Sequence, residues 1–271
     1  DLNQARSHLG GCGASNTSAL AFGGEHPSLY PSQGYLGVTE SWNGSAWTEV
    51  ADLNSDSAYV AAIGIQTAAL CVGGYTDSVT NKTEEWNGSS WTEVADLSTS
   101  RFGSGGAGDV TNGLIFGGSA PPTITGATEE WSEGISVGAW ATGGDLNTGK
   151  GNVMSAGIQT AALKFGGRSP DVANTEQYDG TSWTEVADLN NARSQGGGSG
   201  TYTSALAYAG ETPGNTRDLA ESWNGSSWTN VADLNTGRHA APGSAGVSNT
   251  SAFAIGGASS PQALCELWNG S

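Results

Sequence analysis

Residues 83–97 read TEEWNGSSWTEVADL, and close copies of this stretch recur along the chain. Its Asp-Leu pair recurs at the same position of six repeats, at intervals of 43 to 51 residues, and a Gly-Gly doublet follows each of these six pairs except the fifth. The pairs begin at Asp1, Asp52, Asp96, Asp145, Asp188 and Asp233. The doublets begin at Gly23, Gly73, Gly117, Gly166 and Gly256, and the fifth repeat has Ala209-Gly210 instead.

This period predicts four-stranded β-propeller blades. Within a repeat, an apolar run such as residues 19–22 ends at the doublet and predicts a buried strand. The alternating Thr-Glu-Glu-Trp predicts the next strand, Asn-Gly predicts a type I′ turn, and Trp-Thr-Glu-Val predicts the outer strand. Small residues such as 155–158 suit a crowded innermost strand. We therefore expect one domain over residues 1–271, an all-β six-bladed propeller with mostly four antiparallel strands per blade, lettered a to d from the axis outward.

The order of the repeated residues resembles the kelch repeat. After the doublet comes an aromatic residue, and a Trp follows it in five repeats. The aromatic residues are Trp42, Trp86, Trp131, Tyr178, Trp223 and Trp268, and the later Trp residues are Trp47, Trp91, Trp140, Trp183 and Trp228. The resemblance implies a kelch-type propeller, a fold used mainly by binding modules. The near-identical WNGSSWTEVADL copies also resemble kelch-like proteins of marine bacteriophages, which implies a virion component.

A Glu stands two residues before each of these aromatic residues, on the strand face that should pack between blades. These residues are Glu40, Glu84, Glu129, Glu176, Glu221 and Glu266. A base lies five positions after the Asp of Asp-Leu in five repeats, at Arg6, Arg101, Lys150, Arg193 and Arg238, whereas the second repeat has Ser57. The carboxylates could form a cation-binding ring. We favour a structural network, in which each Glu is held by one of these bases or by N–H groups of the Gly-Gly turn.

The composition narrows the classes of function. A net charge of −17 argues against nucleic acid as a partner, and no apolar run reaches the length of a membrane-spanning helix. The three His and three Cys residues lack metal-ligand spacing, and no nucleophile or phosphate-loop motif occurs. We therefore expect no enzyme activity, no cofactor and no metal, and a location in a virion or outside the cell.

The loops between strands b and c differ most between repeats, so we expect the partner to bind there. The first loop, residues 25–38, has 14 residues, whereas residues 168–174 and 258–264 make loops of seven. Its candidate contact residues are Glu25, His26, Tyr30 and Tyr35. The c–d turns, by contrast, are nearly identical.

Three functions are consistent with these patterns. The first is a structural or adhesion module of a virion, contacting other virion proteins or a host-surface glycan or protein. The second is a secreted carbohydrate-binding propeller, and the third is a kelch-type protein-interaction adaptor.

The sixth repeat reaches Ser271 inside its c–d turn. Its outer strand is therefore expected to come from a longer native chain, to come from a neighbouring chain, or to be missing from that blade. In each case residues 1–24 and 233–271 should lie side by side.

Overall fold

A computed structural model describes residues 1–26, 34–134, 138–212, 215–240, 243–258 and 263–270. Its regular elements are 27 β-strands, grouped into antiparallel sheets. No helix long and apolar enough to cross a membrane occurs among these residues.

The strands repeat in the same order, from a near the axis to d at the outside. The a strands are β1 (Gly10–Ser15), β5 (Ala61–Ile65), β9 (Gly105–Gly108), β15 (Met154–Ile158), β19 (Gly197–Thr201) and β25 (Gly243–Ser248). The b strands are β2 (Ser18–Phe22), β6 (Ala68–Val72), β10 (Asn112–Phe116), β16 (Ala161–Phe165), β20 (Ser204–Tyr208) and β26 (Ser251–Ile255). The c strands are β3 (Thr39–Trp42), β7 (Thr83–Trp86), β13 (Thr128–Glu133), β17 (Thr175–Tyr178), β23 (Ala220–Trp223) and β27 (Cys265–Trp268). The d strands are β4 (Trp47–Glu49), β8 (Trp91–Glu93), β14 (Gly138–Thr142), β18 (Trp183–Val186) and β24 (Trp228–Asn230).

Five sheets have four strands, and the sheet β25-β26-β27 has three among the described residues. Two small hairpins lie outside these sheets: β11 (Ser119–Ala120) with β12 (Thr123–Ile124), and β21 (Glu211–Thr212) with β22 (Asn215–Thr216).

The a strands form a closed ring. Each a strand contacts the a strands of two neighbouring sheets, and β1 contacts β25 as well as β5. Sheets arranged radially around one axis make a β-propeller, so the predicted all-β propeller with antiparallel four-stranded blades is confirmed. Small residues allow the ring to close, because a Cβ added to Gly198 would lie 2.4 Å from the backbone oxygen of Ser155 in the adjacent blade.

Apolar side chains pack between the blades rather than around one central core. The b strands are the most buried elements; in β2, the last four of its five residues are buried. Most of the tryptophans belong to this packing: those with buried side chains are Trp47, Trp86, Trp91, Trp131, Trp183, Trp223 and Trp228.

The connectors from strand d to the next strand a link consecutive blades. Asp52 Oδ1 accepts a hydrogen bond from Thr39 N (3.0 Å) in the blade before it. Leu53 is buried, and Asn54 donates from N and Nδ2 to Glu84 Oε2 (both 2.8 Å) in the blade after it. An Asp-Leu-Asn segment therefore contacts both the blade before it and the blade after it.

The first residues of the chain make the same link between the last blade and the first. Asp1 Oδ1 accepts from Cys265 N (3.3 Å), and Leu2 N donates to Ala263 O (2.8 Å). Asn3 donates from N and Nδ2 to Glu40 (2.7 and 2.8 Å). The predicted proximity of the two terminal segments is therefore confirmed for their described residues.

The type I′ geometry predicted for the c–d turns is wrong. Four residues separate the paired Trp42 and Trp47, and the positive φ falls on Gly44 (93°), whereas type I′ requires it at both central residues. Asn43 instead uses its side chain, whose Oδ1 accepts from Ser45 N and Ala46 N (both 3.0 Å). Asn at this position is thus selected for side-chain hydrogen bonding.

Candidate binding face

On the face that carries the b–c loops, a ring of six residues surrounds the axis, one beside each of the five four-stranded sheets and one beside the three-stranded sheet. All six have left-handed backbone geometry, with φ between 50° and 63°. They are His8, Tyr59, Gly103, Asn152, Gln195 and Ala240. Five backbone hydrogen bonds of 2.7–3.1 Å run from the N–H of one of these residues to the C=O of a neighbouring one.

A second set of six residues surrounds this ring. Each directly follows the Gly-Gly doublet or its Ala-Gly equivalent, and each forms a backbone bridge to the residue before the ring position. They are Glu25, Tyr75, Ser119, Arg168, Glu211 and Ala258. The backbone is therefore the same in every blade at these positions, whereas the side chains differ.

One sector of the face is aromatic. The His8 ring stacks on Tyr59 with centroids 3.9 Å apart, and Phe102 lies 5.7 Å from both Tyr59 and Tyr75. Tyr35, from the first b–c loop, packs against Tyr75 at 5.8 Å. All five side chains are half-buried, so part of their ring surface is exposed while they are held in place by each other.

The opposite sector is charged. Glu211 lies 3.8 Å from Arg168 Nη1 and 3.9 Å from His239 Nε2, and accepts a hydrogen bond from Gln195 Nε2. Gln195 Oε1 in turn lies 3.3 Å from His8 Nε2, which joins the two sectors across the axis. Arg168 is the most accessible group, with 55% of its side chain exposed.

Burial and hydrogen bonding shift the titration of three groups at this face. A hydrogen bond from His8, whose Nδ1 lies 2.9 Å from the carboxylate, lowers the pKa of Glu25. Burial, together with the nearby Glu25 carboxylate, raises the pKa of the Tyr59 phenol. Burial also lowers the pKa of His239. Near neutral pH, Glu25 is therefore ionised and Tyr59 is a neutral hydrogen-bond donor. The Tyr59 hydroxyl lies 3.4 Å from Glu25 Oε1.

The structure places the sequence-predicted contact residues as follows. Glu25 and Tyr35 belong to the cluster that the aromatic and charged sectors form around the axis. The two residues also form a backbone β-bridge with each other. His26 is half-buried, and its N–H donates to Gly34 O (2.9 Å). Tyr30 lies outside the described residues.

Sequence reasoning missed most of the cluster. The residues not foreseen are His8, Tyr59, Tyr75, Phe102, Arg168, Gln195, Glu211 and His239. The signal was available: with the repeats aligned on their doublets, the next position carries Glu, Tyr, Ser, Arg, Glu and Ala. The prediction was instead based on the lengths of the b–c loops, and it therefore considered only the first of them, residues 25–38.

The six repeated Glu residues lie away from this face, between the blades. Five of them are buried, and Glu266 is partly buried. Each accepts a hydrogen bond at Oε2 from the backbone N–H of the residue two positions after an Asp of Asp-Leu, whereas the sequence prediction gave the Gly-Gly turn as one of its two alternatives. The donors are Asn3, Asn54, Ser98, Asn147, Asn190 and Asn235.

Four of the five predicted bases form ion pairs with these carboxylates. Arg6 lies 2.8 Å from Glu40, and Arg193 lies 3.1 Å from Glu221. The other two pairs are Arg101–Glu129 and Arg238–Glu266.

Lys150 was assigned wrongly, because its Nζ donates to Ser169 O (3.3 Å) rather than to a Glu. Lys164, from strand b, approaches Glu176 instead at 3.9 Å. Glu84, whose repeat has Ser57 in place of a base, accepts from Ser55 N (3.1 Å) in addition to Asn54.

The described residues contain no group of three or more His, Cys, Asp or Glu side chains that could hold a metal ion. Cys12, Cys71 and Cys265 are free thiols, the first two of them buried. Burial raises the pKa of Cys12 to about 12, which keeps its thiol protonated and unreactive.

No family model matches the chain. No curated protein matches it either. Among solved structures, the chain is similar to that of YjhT, a propeller, with a TM-score of 0.78 and 12% sequence identity. The alignment covers 98% of this chain and 95% of YjhT. At this identity the likeness establishes the fold alone.

Proposed function

We propose that this chain is a non-enzymatic binding or adhesion module, and that it contacts its partner through the cluster around the axis on the b–c face. One observation carries the proposal. Positions with the same backbone geometry and the same bridges in every blade carry different side chains, and these converge into one aromatic and one charged sector. A side chain needed only for the blade would repeat, as the Glu residues between the blades do.

The titration of the cluster supports binding rather than catalysis. General acids and bases work best with a pKa near the working pH. Here the shifts run away from neutrality, because the pKa of Glu25 falls, that of Tyr59 rises and that of His239 falls. These groups are suited to fixed hydrogen bonding with a ligand.

The repeats support an adhesion role on a virion. They resemble the kelch repeat, and their near-identical WNGSSWTEVADL copies resemble kelch-like virion proteins of marine bacteriophages. We propose the six-bladed kelch-type assignment and the virion location together. Immunogold labelling of purified particles with an antibody raised against this chain tests that location: labelled particles support it, and unlabelled ones contradict it.

The chemistry of the cluster favours a host-surface glycan as the ligand. Half-buried rings such as Tyr75 and Tyr35 offer flat apolar surface in one sector, and Gln195, Glu211 and Arg168 offer hydrogen bonds in the opposite sector. A ligand with both apolar faces and many hydroxyl groups uses such a site fully. The same observation supports the second candidate, a secreted carbohydrate-binding propeller.

A glycan array probed with matched variants tests the binding face. We expect Tyr75→Ala and Arg168→Ala each to weaken binding at least tenfold while leaving the thermal unfolding temperature within a few degrees. Tyr202→Ala is the control, because Tyr202 is 39% exposed in an a–b turn on the opposite face. Failure of the folded protein to bind any glycan contradicts the glycan assignment. An equal loss in the Tyr202 variant contradicts the assigned face.

A further inference from the structure

The axis opens at its other end, on the face that carries the a–b turns (the a–b face), into a cavity of about 320 Å³. Six glycines, one from each strand a, line this cavity and also a smaller one of about 140 Å³ deeper along the axis. They are Gly13, Gly64, Gly108, Gly157, Gly200 and Gly246. Sites for small ligands have volumes of about 300–1,000 Å³. The outer cavity is therefore large enough to receive one large side chain.

Three large apolar side chains line the mouth of this cavity and are exposed. Ile158 has 57% of its surface exposed and Ile65 has 42%, and the third is Tyr202, in the a–b turn of the blade after Ile158. The described part of the chain exposes only six large hydrophobic residues, so half of them surround this one opening. An apolar patch rimmed by polar groups marks a site of contact with another molecule.

The fold does not require apolar residues at these positions. In four blades, the residue that follows the shared glycine occupies the same place at the end of strand a. These residues are Ile65, Asp109, Ile158 and Thr201. Tyr202 stands where the second and fourth blades have a glutamine, as the bond from a Trp Nε1 to its carbonyl oxygen shows. Gln66 and Gln159 each use the side-chain amide to donate to a Trp carbonyl of the preceding blade, so Tyr202 replaces a structural group.

The exposed charges of the a–b face are negative among the described residues. Asp109 lies at the mouth, between Ile65 and Ile158 in blade order, and Glu133 and Asp179 are exposed at c–d turns on the same face. Six of the nine bases of the chain are buried. The other three belong to b–c connections on the opposite face: Lys82, Arg168 and Arg217. The a–b face is therefore complementary to a partner that is both apolar and basic.

We propose that this mouth is a second docking site, which takes a protein segment with a large apolar side chain flanked by Lys or Arg. The apolar side chain enters the cavity between Ile65, Ile158 and Tyr202, and its basic neighbours lie against the acidic rim. Charge selects this occupant, because a second copy docked through the same face brings acids against acids, and an anionic membrane surface is repelled in the same way. The site lies at the opposite end of the axis from the glycan-binding face, so one molecule can hold a partner at each end.

An NMR titration of the whole chain with three pentapeptides tests the site. The probe is Lys-Lys-Leu-Lys-Lys, and its two controls replace the Leu by Gly or every Lys by Glu. We expect saturable binding of the probe, with amide shifts centred on Ile65, Ile158 and Tyr202. The Gly peptide should bind at least about tenfold more weakly, because it buries no leucine side chain. The Glu peptide should not bind, because its charges repel those of the rim.

Matched variants separate the apolar contact from the charge. Ile158→Ser should weaken binding of the probe at least about fivefold. Ile124→Ser is its control and should leave binding unchanged, because Ile124 is also exposed but lies in the b–c hairpin of the third blade. Asp109→Asn removes a charge and keeps the oxygen that accepts from Thr111 N and Asn112 N (2.8 and 2.9 Å). It should weaken binding about two- to fivefold.

Four results would overturn the docking site. They are the absence of saturable binding of the probe, equal binding of the Gly peptide, shifts centred on the b–c face, and equal losses in the Ile158 and Ile124 variants. Self-association of the free chain that Ile158→Ser abolishes would assign the mouth to a second copy, which also contradicts the proposal. Tyr202→Ala keeps the two faces apart, because it should weaken binding of the probe and leave glycan binding unchanged.

Discussion

At the scale of single residues, the first position of the Gly-Gly doublet has left-handed backbone geometry in all six repeats, with φ between 59° and 66°. Gly73 has φ of 61°, and an added Cβ would lie 2.5 Å from Arg101 O in the next connector. Ala209 occupies the equivalent position with φ of 59°. The backbone therefore keeps its left-handed geometry even where the residue is not glycine.

We predict that Gly73→Ala lowers the free energy of unfolding by at least about 2 kcal/mol, from left-handed strain plus the backbone contact. Ala209→Gly, its matched control, should change stability by less than about 1 kcal/mol. The relief of strain is offset there by the greater chain entropy of unfolded glycine. Urea titrations of both variants measure these changes in unfolding free energy. Equal changes in the two variants would contradict the role given to left-handed strain at Gly73.

Lys164 is a buried base on strand b of its blade, β16. It is fully buried, its Nζ donates to Asn174 Oδ1 (2.7 Å), and burial lowers its pKa to about 8 from an ordinary 10.5. As pH rises, the folded state releases this proton before the unfolded state does. The unfolded chain then binds more protons between pH 8 and 10.5, so this group makes stability rise across that window.

We therefore predict that wild type gains stability relative to Lys164→Gln as pH rises from about 8 to about 10.5. The steepest change should be about 1 kcal/mol per pH unit. Denaturant unfolding of both proteins at a series of pH values gives the difference directly and cancels the titration of Tyr and Cys. A constant difference would show that the pKa of Lys164 is not shifted, and a difference that falls with pH would show that it is raised, so either result would contradict the prediction.

At the scale of elements, the connectors from strand d to the next strand a hold the blades in register. Their Asp binds the blade before and their third residue binds the Glu of the blade after. Glu84 tests this link best, because no base among the described residues forms an ion pair with it, and it accepts from three N–H donors of Asn54 and Ser55.

We predict that Glu84→Gln lowers the free energy of unfolding by about 1–3 kcal/mol, because an amide nitrogen replaces one accepting oxygen in a buried site. Glu93→Gln is the matched control. Glu93 pairs in register with Glu84 but is exposed, and it forms an ion pair with the exposed Lys82, so the change should be below about 0.5 kcal/mol. Similar losses in both variants would refute a structural role for the connector.

The repeat made the blades and the buried Glu residues predictable, because a side chain needed by every blade appears in every copy. The partners of the Glu residues were predicted less well. The spacing of Arg6 applied to Lys150 gave the wrong partner for Glu176, because a lysine from strand b reaches the same carboxylate. The binding face was hardest to foresee, since it is assembled from single residues of different blades that meet only when the ring closes.

At the scale of the whole molecule, the last connector and the binding face both depend on the closure of one ring. The first three residues act as the connector between the last blade and the first, and Arg6 pairs with Glu40 in the first blade. The binding face depends on this closure, because His8 meets Gln195 only across the axis. Without closure, the aromatic and charged sectors would not form one surface.

Hydrogen exchange at the amide of Leu2 tests the closure most directly. Residues at the start of a chain usually exchange at nearly the unprotected rate. In this ring Leu2 is buried and its N–H donates to Ala263 O at 2.8 Å, so exchange requires the ring to open. We predict that NMR finds this amide slowed more than about a thousandfold, like the amides of the b strands. Exchange of Leu2 at the unprotected rate, with the b strands still protected, would contradict the closed ring.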